Sequence, residues 1–212
     1  MSKPFVVVSC PIDTYSGYGS RSRDVVRALM RSDKYDVKIL SQRWGNTPYG
    51  FLNENNPEEK KMKDAIIPPQ LQRQPDVWIQ ISVPDEFQKL GKFNIGITAG
   101  IETDLCDVRF IQGANNMDLI LGSSNHSLYA LKNSVYEQKD KADQVVGHIK
   151  LETPTDILFE GVDLEKYFPI EPKDLPKTEL VQSLDTIEES FCFLYVGHWL
   201  RGAIGEDRKN TG

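Results

Sequence analysis

Short, uninterrupted apolar runs alternate along the chain with polar stretches punctuated by glycine and proline. Phe5 to Ser9 is a Val-rich run of strand length. With no alternation of apolar and polar positions, it reads as a strand buried on both faces, as in a parallel sheet. Pro11 to Gly19 breaks the run with Pro, Asp, Ser and two glycines, and Ser20 to Arg31 then carries Val25, Val26, Leu29 and Met30 at the spacing of one helix face. Val37 to Leu40 is a second strand, so the opening segment predicts a βαβ unit. The pattern next predicts a long ordered loop over 42–57 and a short surface helix over Pro57–Lys63. Strands follow at Val77–Ile81, Phe93–Thr98 and Asp118–Leu121, and helices at Leu105–Asn116 and Asn125–Ser134, the latter capped by Ser123 or Ser124. Tyr136 to Asp143 reads as charged and exposed, and Val145–Lys150 and Asp156–Phe159 as two last strands of the sheet.

This recurrence of strand, loop and helix predicts an α/β fold, an open Rossmann-like parallel sheet with helices on both faces. Ligands of such sheets lie beyond the carboxyl ends of the strands. The segments expected there are Asp13–Gly19, Ser82–Asp85, Thr98–Glu102 and Gly122–His126. The 212 residues suit one good core with a small excess. Residues 1–168 are expected to form that domain. Pro169, Pro172 and Pro176 punctuate a polar interdomain linker over 169–189, and Phe191–Gly197 returns to a buried-strand pattern. Residues 190–212 are therefore expected to be the first strand and loop of a second Rossmann-like domain, truncated at its start.

Charge narrows the function. The chain has 31 acidic and 25 basic residues, a formal net charge of -6, which argues against a general nucleic-acid binder. A small phosphorylated ligand needs only a few local donors and stays open. The apolar stretches are too short to span a bilayer, and Phe5–Cys10 is too short and too poorly flanked for a signal peptide, so a cytoplasmic protein without a transmembrane segment is expected. Cys10, Cys106 and Cys192 are odd in number and far apart, which predicts buried free thiols; His126, His148 and His198 are equally scattered and predict no zinc site.

Four constellations could carry chemistry. Gly17-Tyr18-Gly19, with Arg21 and Arg23, lies between the first strand and first helix, where glycine lets a ligand approach the backbone and free N–H groups favour an anion. It lacks the third glycine and the acidic residue of a dinucleotide fingerprint. A sugar, phosphate or acceptor contact and a plain tight turn are the two readings. Thr98-Ala99-Gly100-Ile101-Glu102-Thr103-Asp104 places carboxylates and hydroxyls at a strand end; Glu102 could hold a sugar hydroxyl or accept a proton, or Thr103 or Asp104 could simply cap the next helix. His126, in the first turn of a helix at the same sheet edge, is either an acid–base or hydrogen-bonding group or an ordinary helix histidine. Gly197-His198-Trp199-Leu200-Arg201 and the pair Arg208-Lys209 could clamp a diphosphate, or form a solvated charged face. No serine has a nucleophile elbow and there is no Walker loop.

Phe159-Glu160-Gly161-Val162-Asp163-Leu164-Glu165-Lys166-Tyr167-Phe168-Pro169, Phe193 to Gly197, Arg208 to Gly212 and Asp118 to Ser127, in this order, resemble segments of the GT-B type glycosyltransferases of the retaining group 1, or family 4-like, class. The chain is similar to phage and bacterial homologues of that class in particular, over about residues 5 to 212. The resemblance implies a hexosyltransferase-type enzyme, in the host cytoplasm if viral, with an N-terminal acceptor domain and a C-terminal domain for the nucleotide-sugar donor. It implies that Gly17 and Gly19 lie near the donor phosphates, that Gly197, Arg208 and Lys209 touch the pyrophosphate, and that no metal or other cofactor is required. Glu102 and His126 become the catalytic candidates; many members carry a histidine where this chain has Thr98–Glu102. The family's Glu-x7-Glu segment has no counterpart here. The chain is accordingly expected to be inactive alone, with a separate chain as one source of the donor domain. Its partners would be a nucleotide sugar and a saccharide or other hydroxyl acceptor. The competing expectations are a non-catalytic binding or structural module that keeps the fold, and a different α/β enzyme such as an oxidoreductase or epimerase.

Overall fold

The computed structural model describes residues 3–101, 103–165 and 167–193. In chain order its elements are β1 (Phe5–Cys10), α1 (Gly17–Ser32), β2 (Asp36–Ser41), α2 (Pro57–Asp64), β3 (Val77–Ile81), β4 (Phe93–Thr98), α3 (Val108–Ala114), β5 (Leu119–Gly122), α4 (Asn125–Asn133), β6 (Tyr136–Lys139), β7 (Val145–Ile149), β8 (Thr155–Ile157) and α5 (Glu179–Leu184). Six strands form one sheet in the order β2-β1-β3-β4-β5-β8, every pair parallel. The fold is α/β with a Rossmann-like open sheet.

All six residues of β1 are buried, as an apolar run without alternation requires. Side chains alternate across the pleat, and so divide between two cores. Val6, Val8 and Cys10 join Ile39, Ile79, Ile81, Val26 of α1 and Met62 of α2 on one face. Phe5 and Val7 join Trp78, Ile120, Ile111 of α3, and Leu128 and Leu131 of α4 on the other. Carboxylates lock the amino ends of the strands. Asp76 accepts the Phe5 amide at 2.9 Å, and Asp118 accepts both the main-chain and side-chain N–H of buried Asn94, at 2.8 and 2.9 Å.

Several expectations are corrected. α1 begins at Gly17, not Ser20, because Ser16 caps it by accepting the Gly19 amide; both glycines therefore belong to the first helical turn. α3 begins at Val108 with Asp107 as its cap, accepting the Arg109 amide at 2.8 Å, and neither Thr103 nor Asp104 has that role. Thr103 instead donates its hydroxyl to the Leu105 carbonyl. Val145–Ile149 does not enter the main sheet. It pairs antiparallel with Tyr136–Lys139, in the segment expected to be charged and exposed, whose last three strand residues are exposed. Of the two serines offered as the α4 cap, Ser124 is the one, in a reciprocal capping box with Ser127.

Among the described residues, those up to Gly161 belong to one compact unit and those from Val162 to Phe193 to another. The 169–189 segment contains the short helix α5. Large apolar side chains of this second unit are exposed, among them Leu164, Tyr167, Leu180 and Phe193. Cys10 and Cys106 are buried thiols, but Cys192 is exposed, a correction that follows from the exposure of its neighbours Phe191 and Phe193. No helix among the described residues is long and apolar enough to cross a membrane.

Candidate functional site

The strand order fixes where a ligand could sit. From β1 the chain crosses outward to β2, then returns to place β3 on the other side of β1. The connections diverge between β1 and β3, which makes their carboxyl ends the topological switch point. Pro11–Gly19 leads from β1 into α1 at this place, and Ser82 and the 3-10 turn Pro84–Glu86 follow β3.

The two glycines of α1 do different work. A Cβ on Gly19 would lie 2.4 Å from the Thr14 carbonyl oxygen and 2.7 Å from Thr14 Oγ1, so Gly19 lets the helix start press against the turn leaving β1. Thr14 is itself held there by its hydroxyl, 2.9 Å from the Pro11 carbonyl and 2.8 Å from Ser16 Oγ. Gly17 is exposed, with open space where a Cβ would be. It keeps the mouth of the helix bare, where main-chain N–H groups favour negative charge.

Tyr18, between them, links the strand ends. Its hydroxyl lies 3.2 Å from Thr98 Oγ1 and accepts the Ala99 amide at 3.0 Å. Its ring stacks on Trp44 with centroids 4.1 Å apart and planes at 27°. Because β3 lies between β1 and β4, the Tyr18–Thr98 bridge passes the end of β3 at the switch point. Sequence reasoning placed Tyr18 in the motif but gave it no role, and left Trp44 outside the site. The signal available was an aromatic between two glycines, facing an aromatic-rich loop.

Both arginines of the motif donate to main-chain carbonyls. Arg23 is buried and donates to the Ile12 and Thr14 carbonyls at 2.9 and 3.0 Å, with its guanidinium 3.5 Å from the centre of the Phe51 ring. Burial pulls its pKa below the usual arginine value. Arg21 donates to the carbonyls of Leu158 and Phe159, and so ties the segment after β8 to α1. The sequence counts both as positive charge at the site; the fold engages both with main-chain carbonyls.

At the end of β4, Gly100 has φ +75°, the left-handed region, and a Cβ there would fall 1.9 Å from the Ser127 carbonyl oxygen. The Thr98–Gly100 turn therefore rests directly on the first turn of α4. His126, next to Ser127 in that turn, is exposed at the same sheet edge. The structure thus links the Gly17–Gly19 turn through Tyr18 to Thr98–Gly100, and this turn to the neighbour of His126. It does not bring His126 against Gly17. Their strands, β5 and β1, are separated by two others, roughly 14 Å at the usual interstrand spacing. Glu102, Gly197, Arg208 and Lys209, with His198, Trp199 and Arg201, lie outside the described residues.

Loop 42–56 is fixed onto the site. The Asp13 carbonyl accepts the Gly50 and Phe51 amides at 2.9 and 3.1 Å, and its carboxylate accepts the Leu52 amide at 2.7 Å. Tyr15 donates its amide to the Pro48 carbonyl at 3.1 Å, and Gln42 donates to Ser9 Oγ at 2.7 Å. The groove between α1 and α2 lies elsewhere, lined by Arg27, Met30, Arg31, Glu58, Lys61 and Met62; Glu58 pairs with both of its arginines. No group of three or more His, Cys, Asp or Glu side chains able to hold a metal occurs among the described residues. Comparison with known proteins finds no matching family model, no matching curated protein and no matching solved structure.

Proposed function

We propose that the chain is the acceptor-side half of a GT-B type glycosyltransferase, moving a sugar from a nucleotide-sugar donor to a hydroxyl acceptor in the cytoplasm. The observation that carries this reading is the bare, Gly17-led start of α1 at the switch point of a parallel sheet. Main-chain N–H groups there suit a donor phosphate. The half-buried Tyr18 reaches from this helix start to the end of β4, two strands from β1, and its phenol suits a sugar hydroxyl. The resemblance of residues 159–169 to the segment leaving such an acceptor domain supports it from the sequence. In this reading His126, exposed at the same sheet edge, would exchange a proton with an acceptor lying along it, and no step needs a metal.

The test is an amide NMR titration of the 212-residue chain with UDP-, GDP-, ADP- and CMP-sugars. Shifts centred on Gly17 and Tyr18, weakened by Gly17→Asp through like-charge repulsion of phosphate, are expected. Shifts absent for every nucleotide sugar would sink the reading. One observation favours the alternative, a non-catalytic binding module: the exposed apolar side chains between Val162 and Phe193. Self-association in sedimentation, abolished by Leu164→Ser with Leu180→Ser, is what that alternative requires.

A further inference from the structure

We propose that residues 154–161 form a detachable strap along the edge of the main sheet, hinged at Thr153 and latched by Arg21. The device does not depend on the transferase reading.

Three observations carry it. First, β8 has little to hold it. It is an edge strand of 3 residues, paired only with β5. Asp156 and Ile157 are exposed, and no residue of 154–161 belongs to either core or packs on one. Its ladder includes the Ile120 amide on the Pro154 carbonyl and the Leu158 amide on the Gly122 carbonyl, both at 2.9 Å. A segment with hydrogen bonds but no buried apolar contacts opens locally at far lower cost than the sheet it borders. Second, the chain entering β8 is anchored. Buried Thr153 donates its hydroxyl to the Ala114 and Met117 carbonyls at 3.0 and 3.1 Å, and the Asn115 side chain accepts the Glu152 amide at 2.8 Å. Third, the chain leaving β8 is held from outside the sheet. Arg21 stands three residues after Tyr18 in α1, so the two side chains are neighbours on one helix face. Tyr18 ties that face to the end of β4, and Arg21 ties it to the Leu158 and Phe159 carbonyls. Among the described residues, this fork is the one hydrogen-bond tie from residues 159–161 to the rest of the chain. The helix that follows β1 thereby controls a strand four places away in the sheet. When the strap opens, the outer edge of β5 is bared beside the first turn of α4, and the other five strands keep their pairing.

The experiment is native-state amide hydrogen exchange of the full chain, followed by NMR. The Ile120 and Leu158 amides report the strap. The Ser82 amide, on the Ile97 carbonyl, and the Asp118 amide, on the Asn94 carbonyl, report the rest of the sheet. In the wild type, Ile120 and Leu158 are expected to share one protection factor, at least about tenfold below those of Ser82 and Asp118. Arg21→Ala is expected to lower the protection of Ile120 and Leu158 by a further factor of about ten, as loss of hydrogen bonds from a charged donor at an exposed site implies. Arg21→Lys keeps the charge but not the fork, and is expected to lower it by less. Ser82 and Asp118 should change by less than about twofold in either variant. Should Arg21→Ala fail to fold, the wild-type factors and Arg21→Lys carry the decision. Ile120 and Leu158 protected as strongly as Ser82 in the wild type overturns the strap. Unchanged protection of both amides in the Arg21 variants overturns the latch. An equal loss at all four amides also overturns it, since Arg21 would then support the whole sheet and not its edge.

Discussion

Gly17 and Gly19 stand two residues apart in one helical turn, yet substitution should separate them. Gly19→Ala forces a Cβ to within 2.4 Å of the Thr14 carbonyl, a main-chain atom that cannot swing aside. A loss of about 1–3 kcal/mol is expected from such overpacking. Gly17→Ala meets open space at a helical position without positive φ, and should be neutral or stabilising by at most about 1 kcal/mol. Urea unfolding of the two variants checks the contrast; equal effects would show that close packing is not what Gly19 provides. The motif itself was legible in the sequence, because two glycines after a buried strand mark a tight approach. The division of labour was not, since it depends on where the Thr14 carbonyl falls. The roles of Arg21 and Arg23 were hidden for the same reason. A sequence shows a charge but not the carbonyls of Ile12, Thr14, Leu158 and Phe159 that engage it.

The elements are joined at their amino ends by carboxylates, and these set a pH dependence. Asp118 precedes β5 and accepts two bonds from Asn94 of β4; the Asn94 side chain first, then its amide and Lys89, hold the Asp118 carboxyl below the usual carboxylate range. Asp76, before β3, is lowered in the same direction by Lys92 and the Phe5 amide. On unfolding, both return to ordinary values near 4, so between the folded and unfolded pKa values the unfolded chain binds more protons. The stabilisation is complete above about pH 4 and is lost as pH falls through the folded values. Urea midpoints measured down the acid limb should fall less steeply for Asp118→Asn than for wild type, and parallel limbs would refute the assignment. Loss of the α4 cap acts on one element only: Ser124→Ala should cost about 1 kcal/mol, read from the same unfolding curves. Most strands and helices were readable because apolar runs and caps are local signals. The exception is the β6–β7 hairpin. Val145–Ile149 carries an ordinary strand pattern, and nothing local tells which sheet it joins. Its partner Tyr136-Glu137-Gln138-Lys139 is too polar to announce a strand, and is held instead by pairing and by the Tyr136 phenol on the Cys106 carbonyl.

At the scale of the whole molecule, the burial found among the described residues resides in the first compact unit. Every residue of the two cores, with the partly buried side chains packed on them, lies between Phe5 and Leu151. All six strands of the main sheet, the hairpin and the Arg21 tie to Leu158 and Phe159 precede Gly161. In residues 162–193, by contrast, large apolar side chains such as Leu164, Leu180 and Phe193 are 72%, 72% and 92% exposed, and contribute little burial. A chain ending at Gly161 should therefore fold by itself. Denaturant slope tracks the surface exposed on unfolding, so the 1–161 chain should unfold with a slope close to that of the full chain in the same transition. Its thermal midpoint should lie within about 2 °C, since a difference of 1 kcal/mol moves a domain of this size by about 2–4 °C. The same comparison tests the proposed site: Gly17, Tyr18 and His126 all precede Gly161, so the nucleotide-sugar shifts expected at Gly17 and Tyr18 should survive the cut. A fragment that melts far lower, or that keeps its fold but loses the nucleotide-sugar shifts, would mean that residues after Gly161 stabilise the sheet or complete the site, and the acceptor side would then have to be redrawn to include them.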